Sequence, residues 1–287
     1  MARPRAASAA KKGAALRPIL LEWGPLTIHA YGFALAIAFL VGSLWVTRRG
    51  RPLGYREDEL SRLFLWVLAS ALIGARLYYG FQHPEDFRDN WIAVFRVWEG
   101  GLTQHGGVMA AIAVGWLFAR SRHWSFVALA DLIAPALALG EGITRIGCFF
   151  AGCCHGSPTD AAWGICYPEG SPAHWQFGET AVHPSPVLLS IGNLLFFPLL
   201  AWSQGRWFGT GRVFALYLAL SSALRFAVDF TRFYQPSDRV TLLGLDLAHS
   251  QWLSLALILL AALIAWRPGV RRERRPAPDG AADAADG

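Results

Sequence analysis

Charge is sparse in this chain. Charged side chains make up 16% of its 287 residues and hydrophobic ones 54%, against a charged share of roughly 25% in an ordinary soluble domain. Other absences narrow the class further. No internal repeat is evident, which weighs against an inverted-repeat transporter. The first apolar run is too long for the h-region of a leader, and no small-residue cleavage site follows it, so no cleaved signal peptide is expected. The net charge of +6 is not gathered on a basic face interleaved with aromatics, and no nucleic-acid partner is expected. Between Phe150 and Ser185 there is neither Lys nor Arg.

What the chain does have is long apolar runs, which are read as membrane spans once they exceed about 18 largely uncharged residues. Seven are expected, near Ile28–Thr47, Leu63–Phe81, Gly106–Ala119, Val127–Phe149, Pro186–Trp202, Arg212–Phe230 and Gln251–Trp266. The fold class is thus all-α, a polytopic integral membrane protein. Its expected parts are a basic N-terminal segment 1–18, a transmembrane catalytic domain 19–268 and a disordered tail 269–287, whose Ala/Asp/Gly/Pro composition has nothing to bury. The third span is short, and Gly106-Gly107 at its start suggests an irregular entry.

Lys and Arg counts in alternate loops set the orientation. One set holds Arg48, Arg49, Arg51, Arg56 and Arg62, then Arg120 and Arg122, then Arg206 and Arg212, then the cluster from Arg267 to Arg275. The other holds Arg88, Arg96, Arg232 and Arg239. The first set marks the cytoplasm, so the C-terminus is expected there and the N-terminus outside. The basic residues Arg3, Arg5, Lys11, Lys12 and Arg17 oppose this, and the agreement of four loops outweighs them. The segment 150–185 then lies outside, too long for a mere connector and so expected to be functional. A second external segment, 82–104, carries Trp residues that would equally serve as interface anchors.

Arg76, Arg145 and Arg225 fall within predicted spans. A charge at the bilayer centre costs about 2.5–3.5 kcal/mol on the mildest scale, so each needs a use or a partner. Glu141 precedes Arg145 by one turn and Asp229 follows Arg225 by one turn, with Arg232 beyond, an Arg–Asp–Arg ladder. Mutual neutralisation that pins helices together is the structural reading. The functional one is that guanidinium forks suit phosphate oxygens, and the abundant phosphate in a bilayer is a lipid headgroup. Residues alone reach an enzyme or carrier of an anionic lipid.

Six strings, in order along the chain, go further. They are GPLTIHAYG (Gly24–Gly32), FRVWEGGLTQHGG (Phe95–Gly107), DLIAP (Asp131–Pro135), TRIGCFFAGCCHG (Thr144–Gly156), HPSP (His183–Pro186) and LRFAVDFTR (Leu224–Arg232). Together they resemble the bacterial prolipoprotein diacylglyceryl transferase family. The fourth string departs from the family's Gly-Arg-x-Gly-Asn-Phe-x-Asn-Gly-Glu signature. Thr144 replaces a glycine, Cys148 and Ala151 replace asparagines, and Cys153 replaces the glutamate. Leu189 stands where a glutamate would end the HPSP string.

The resemblance implies transfer of a diacylglyceryl group from phosphatidylglycerol to the lipobox cysteine of a prolipoprotein, with glycerol phosphate released. It implies a multi-pass protein of the bacterial cytoplasmic (inner) membrane whose partners are that lipid, the lipobox peptide and surrounding membrane lipid, with no cofactor and no metal. Arg145 and Arg225 would hold the phosphate, supported by Arg232 through Asp229. His105 is the candidate base, since imidazole titrates near neutral pH, and Gly106 and Gly107 beside it would let substrate approach. Tyr31 would position the headgroup or share the proton work, and Gly156 would line the substrate site. Arg76 has no assigned role.

All four cysteines lie between Cys148 and Cys166, and three readings stay open. A disulfide from Cys148 to Cys153 or Cys154, or plain packing, is preferred in an external loop. A Cys/His metal site fits the residue types but lacks the usual Cys-x2-Cys spacing. A covalent thiol role comes last. Two other functions compete with transfer: a membrane thiol oxidoreductase built on Cys148, Cys153 and Cys154, and an anionic-lipid carrier.

Overall fold

The computed structural model describes residues 16, 18–23, 26–88, 90, 92, 96, 101–242 and 244–266. Most of the basic segment 1–18, most of 89–100 and the tail 269–287 lie outside them. The described residues run β1 (Ile19–Trp23), β2 (Leu26–His29), α1 (Ala30–Gly50), α2 (Glu57–Gln82), α3 (Gln104–Ser121), α4 (Phe126–Ala151), α5 (Pro172–Phe177), α6 (Ser185–Trp207), α7 (Arg212–Asp229), β3 (Arg239–Leu242), β4 (Leu245–Ala248) and α8 (His249–Trp266).

The all-α expectation therefore needs a correction. Two antiparallel hairpins, β1–β2 and β3–β4, stand before α1 and before α8. Ile28, expected to open the first span, belongs to β2, pairing with Leu21. Both hairpins are too short to register against long apolar runs, and Gly244 at φ 78° supplies the left-handed turn between β3 and β4. The irregular entry expected at Gly106-Gly107 is also absent, since α3 is already helical from Gln104.

Among the described residues, five helices are long and apolar enough to cross a membrane: Ala30–Leu53 (α1 with its 3-10 extension), α2, α4, α6 and α8. The other two expected spans form helices α3 and α7 but carry more polar residues, Gln104, His105 and Arg120 in one, Arg212, Arg225 and Asp229 in the other. Exposure is inverted relative to a soluble protein. Leu40, Leu65 and Leu259 are more than 60% exposed, while Ser190, Asn193, Ser203, Gln204 and Ser254 are buried. An apolar exterior around a small and polar interior is what lipid solvation selects.

Small residues set the helix spacing. Ala34, Ala38 and Gly42 recur every turn of α1 and meet Gly147, Gly140 and Ala136 of α4. On the neighbouring pair, a β-carbon at Gly106 of α3 would run into Gly74 O and Tyr78 of α2. This is the small-xxx-small packing by which membrane helices approach closely. Helix α4 also packs on α6 and α7, where Ser190 Oγ donates to Gly142 O at 2.8 Å.

The DLIAP string holds three helices together. Pro135 inside α4 has no N–H, which frees the carbonyl of Asp131 one turn back. Gln204 Nε2 of α6 donates to that carbonyl at 2.8 Å and to Leu132 O at 3.0 Å. The Asp131 carboxylate, fully buried, accepts from Gly211 N and Phe214 N at 2.9 Å each. It thereby caps the start of α7, which Gly211 has no side chain to do.

The segment 150–185 folds into a cap of its own, with Tyr167, Ala173 and Val182 buried together with Leu16 from before β1. Asp131→Ala should leave two buried N–H groups unsatisfied and destabilise the protein by about 2–4 kcal/mol. Thermal unfolding in detergent should show a lowered Tm, with Asp131→Asn, which keeps one acceptor oxygen, falling between the two. An unchanged Tm for Asp131→Ala would remove this capping role.

Candidate functional site

The last turn of α4 builds the centre of the site. Gly152, at φ 69°, stops the helix: its N–H donates to Phe149 O at 3.2 Å, and Cys153 N donates to Cys148 O at 3.1 Å. This paired pattern is a Schellman motif, which turns the chain back over the helix end. The turn brings Cys153 onto Cys148, whose carbonyl also accepts from Cys153 Sγ at 3.6 Å. Cys154 follows at φ 56°, an uncommon conformation for a residue with a β-carbon. The Sγ atoms of Cys148, Cys153 and Cys154 all lie within 4.8 Å of one another. All four cysteines are free thiols, so the disulfide, expected from the sequence on a par with plain packing, is not formed.

Arg145 lies one turn before this cluster and directs Nη1 at Cys154 Sγ, 3.9 Å away. The expected pairing with Glu141 is not formed among the described residues. Glu141 instead accepts from Tyr217 at 3.2 Å and Ser221 at 3.0 Å, both on α7. Tyr31, in the first turn of α1, is beside this segment, because a β-carbon at Gly147 would lie 3.2 Å from Tyr31 Cα. Its side chain is partly exposed.

Arg225 belongs to a closed polar circuit. Its Nε lies 2.9 Å from Asp229 Oδ1, although that oxygen has no aligned donor, so charge rather than a directed hydrogen bond holds the pair. Asp229 Oδ2 accepts from Ser250 Oγ at 2.6 Å, Ser250 contacts Tyr234 OH at 2.9 Å, and Arg225 Nη2 donates to Tyr234 OH at 3.2 Å. Sequence reading missed Tyr234 and Ser250. Both lie outside the quoted strings, Ser250 on α8.

The Arg–Asp–Arg ladder is corrected at its far end. Helix α7 stops at Asp229, so Arg232 leaves the helix face and pairs by its backbone with Gly156. Its guanidinium stacks over Tyr234 with Cζ 5.7 Å from the ring centre, and among the described residues it forms no ion pair with Asp229. Gly156 is hemmed in: a β-carbon there would meet Thr231 O, His183 Cβ and Ser185 Oγ. It donates to His183 O at 2.8 Å, so the HPSP string, the loop after the cysteines and the end of α7 join at this residue.

His105 stands exposed in the first turn of α3, and no hydrogen bond among the described residues links it to Arg145, Arg225 or the cysteines. Gly106 serves the contact with α2, and Gly107 lies close to Ala71 O of the same helix. Arg76 is buried against Tyr79 and Phe87, with Cζ 5.8 and 5.1 Å from their ring centres, and donates to Gly101 O at 3.3 Å. That ties the segment before α3 onto α2, a structural use. Arg76, Arg145 and Arg225 all sit in the last two turns of their helices.

The thiols differ in acidity. Hydrogen bonds from Cys148 and Cys153 are the main cause pushing the Cys154 thiol well below its ordinary value, with the charges of Arg232 and Arg145 adding to it. Hydrogen bonding to Cys148 and Cys154 pushes the Cys153 thiol up. Cys154 is thus the more acidic thiol of the two.

These features define a helical polytopic membrane protein in which arginines and thiols meet at one end of the bundle. The chain belongs to the prolipoprotein diacylglyceryl transferase family, whose sequence profile matches residues 18–267. Its relatives are transferases. The phosphatidylglycerol–prolipoprotein diacylglyceryl transferase of Idiomarina loihiensis is 33% identical over 254 residues, covering 87% of this chain and 92% of its own length. That of Bordetella bronchiseptica is 33% identical over 250 residues (85% and 92%), and that of Clostridium tetani 27% identical over 249 (87% and 96%).

In reduced, metal-free protein at pH 7, iodoacetamide should label Cys154 at least about tenfold faster than Cys153. Mass spectrometry of the peptide spanning both residues measures this, and equal rates would contradict the depressed thiol.

Proposed function

We propose that this chain transfers the diacylglyceryl group of phosphatidylglycerol to the lipobox cysteine of a prolipoprotein in the bacterial cytoplasmic membrane. The observation that carries this is the family match over residues 18–267, with relatives named for that lipid and that acceptor. It disfavours the thiol oxidoreductase and the lipid carrier.

The acceptor sulfur attacks the glyceryl carbon that bears the phosphate ester. The carbon–oxygen bond breaks, a thioether forms, and glycerol phosphate leaves with the electron pair. Arg145 and Arg225 hold the phosphate as negative charge grows on it. Asp229 keeps Arg225 in place, and Arg232 flanks the same end beside Gly156. His105 takes the thiol proton and Tyr31 orients the headgroup, while Gly106 and Gly107 seat the start of α3, and with it the base, against α2.

Parity supports seven crossings, and the loop charges support an external N-terminus and a cytoplasmic C-terminus. Leu16 packs with Tyr167 and Val182, so an even number of crossings separates the N-terminal segment from the 150–185 cap. Helices α1, α2 and α4 make three, which makes α3 the fourth. The Gly156–Arg232 pairing returns the end of α7 to the cap's side, so α6 and α7 both cross, and α8 then ends in the cytoplasm.

Labelled phosphatidylglycerol and a lipobox peptide, supplied to the purified protein, should yield thioether product and glycerol phosphate in equal amounts. Arg145→Ala should lower the rate by about 100-fold or more. Full rescue of lipidation by that variant in a depletion strain would overturn the assignment of Arg145.

A further inference from the structure

Cys148, Cys153 and Cys154 have no part in the transfer as argued, yet their sulfurs share one small volume within 4.8 Å of one another. Two left-handed residues, Gly152 and Cys154, hold that volume closed. Around a zinc-class ion with metal–sulfur bonds of about 2.3 Å, tetrahedral thiolates stand about 3.8 Å apart. The cluster therefore needs to tighten by only about 1 Å. Spacing along the chain disfavours such a site because it lacks Cys-x2-Cys. The Schellman turn supplies the same convergence from a Cys-x4-Cys-Cys string by folding the loop back on the helix end. Three thiolates around a divalent ion leave one negative charge, and Arg145 Nη1, 3.9 Å from Cys154 Sγ, stands where it is balanced.

We propose that Cys148, Cys153 and Cys154 bind a soft divalent cation of the zinc class, and that the acceptor cysteine enters its open fourth position as a thiolate. Thiolates select such ions over magnesium or calcium, and three protein ligands leave one tetrahedral position for substrate. The second half rests on the transfer reading. On binding, the acceptor thiol loses its proton to solvent or to His105, because a metal-coordinated thiol is deprotonated. Its sulfur then forms the bond to the glyceryl carbon while the carbon–oxygen bond breaks and glycerol phosphate leaves. The thioether formed is neutral and a weaker ligand, so product departs. The site also stands beside Arg145, which brings the nucleophile next to the phosphate that arginine is proposed to hold.

The test uses full-length protein in detergent, reduced and metal-stripped, titrated with Co2+. The expected result is a sulfur-to-cobalt charge-transfer band that saturates at one ion per chain and is displaced by Zn2+. Cys148→Ser and Cys154→Ser should each weaken binding at least tenfold, while Cys166→Ser, outside the cluster, should not. A lipobox peptide carrying its cysteine should raise the band about 1.3-fold, four thiolates against three, and a Ser-containing peptide should leave it unchanged. No band from reduced protein, or full affinity in Cys148→Ser, overturns the site. A band indifferent to the cysteine peptide overturns the fourth-ligand role alone. Cobalt that responds to the peptide while no thioether forms from labelled lipid leaves the site standing and overturns the transfer reading.

Discussion

An exterior of exposed leucines leaves the polar groups between the helices without water, and most of this architecture follows from how they are met. A polar group stranded in hydrocarbon costs several kcal/mol, so the buried ones answer each other across helices. Asp131 caps α7, Gln204 satisfies the carbonyl that Pro135 orphans, and Ser190 reaches Gly142. These contacts need backbones brought close, which the Ala and Gly positions of α1, α4 and α3 allow. Polar satisfaction and small-residue packing are thus one constraint seen from two sides.

The same constraint explains the end of the bundle where the arginines lie. Arg225 is held by Asp229 and Tyr234, and Ser250 links those two partners. Among the described residues Arg145 forms no ion pair, since Glu141 hydrogen-bonds to α7, and it faces a thiol instead. In this chain cysteines occupy positions where the family signature has an asparagine and a glutamate. Cys154, its thiol made more acidic by its neighbours, sets a soft, polarisable sulfur beside Arg145.

Much of this was legible in residues alone. Runs such as Val127–Phe149 announced helices, and the Arg145 and Arg225 strings announced a family, because helical periodicity and short motifs are local properties. The hairpins were not legible, being only four or five residues a strand. Nor was the true place of Arg232: a spacing of three from Asp229 assumes a helix that in fact ends at Asp229. Tyr234 and Ser250 gave no signal because their roles depend on α8 folding back against α7.

Composition and motif order therefore determined that this is a membrane-embedded member of a transferase family with arginines set in its helices. Only the tertiary structure decided which partners those arginines have, and that three cysteines separated by a helix end converge on one point. The physical reason is that apolarity is written residue by residue, while convergence depends on a left-handed turn at Gly152 and on contacts between distant segments of the chain.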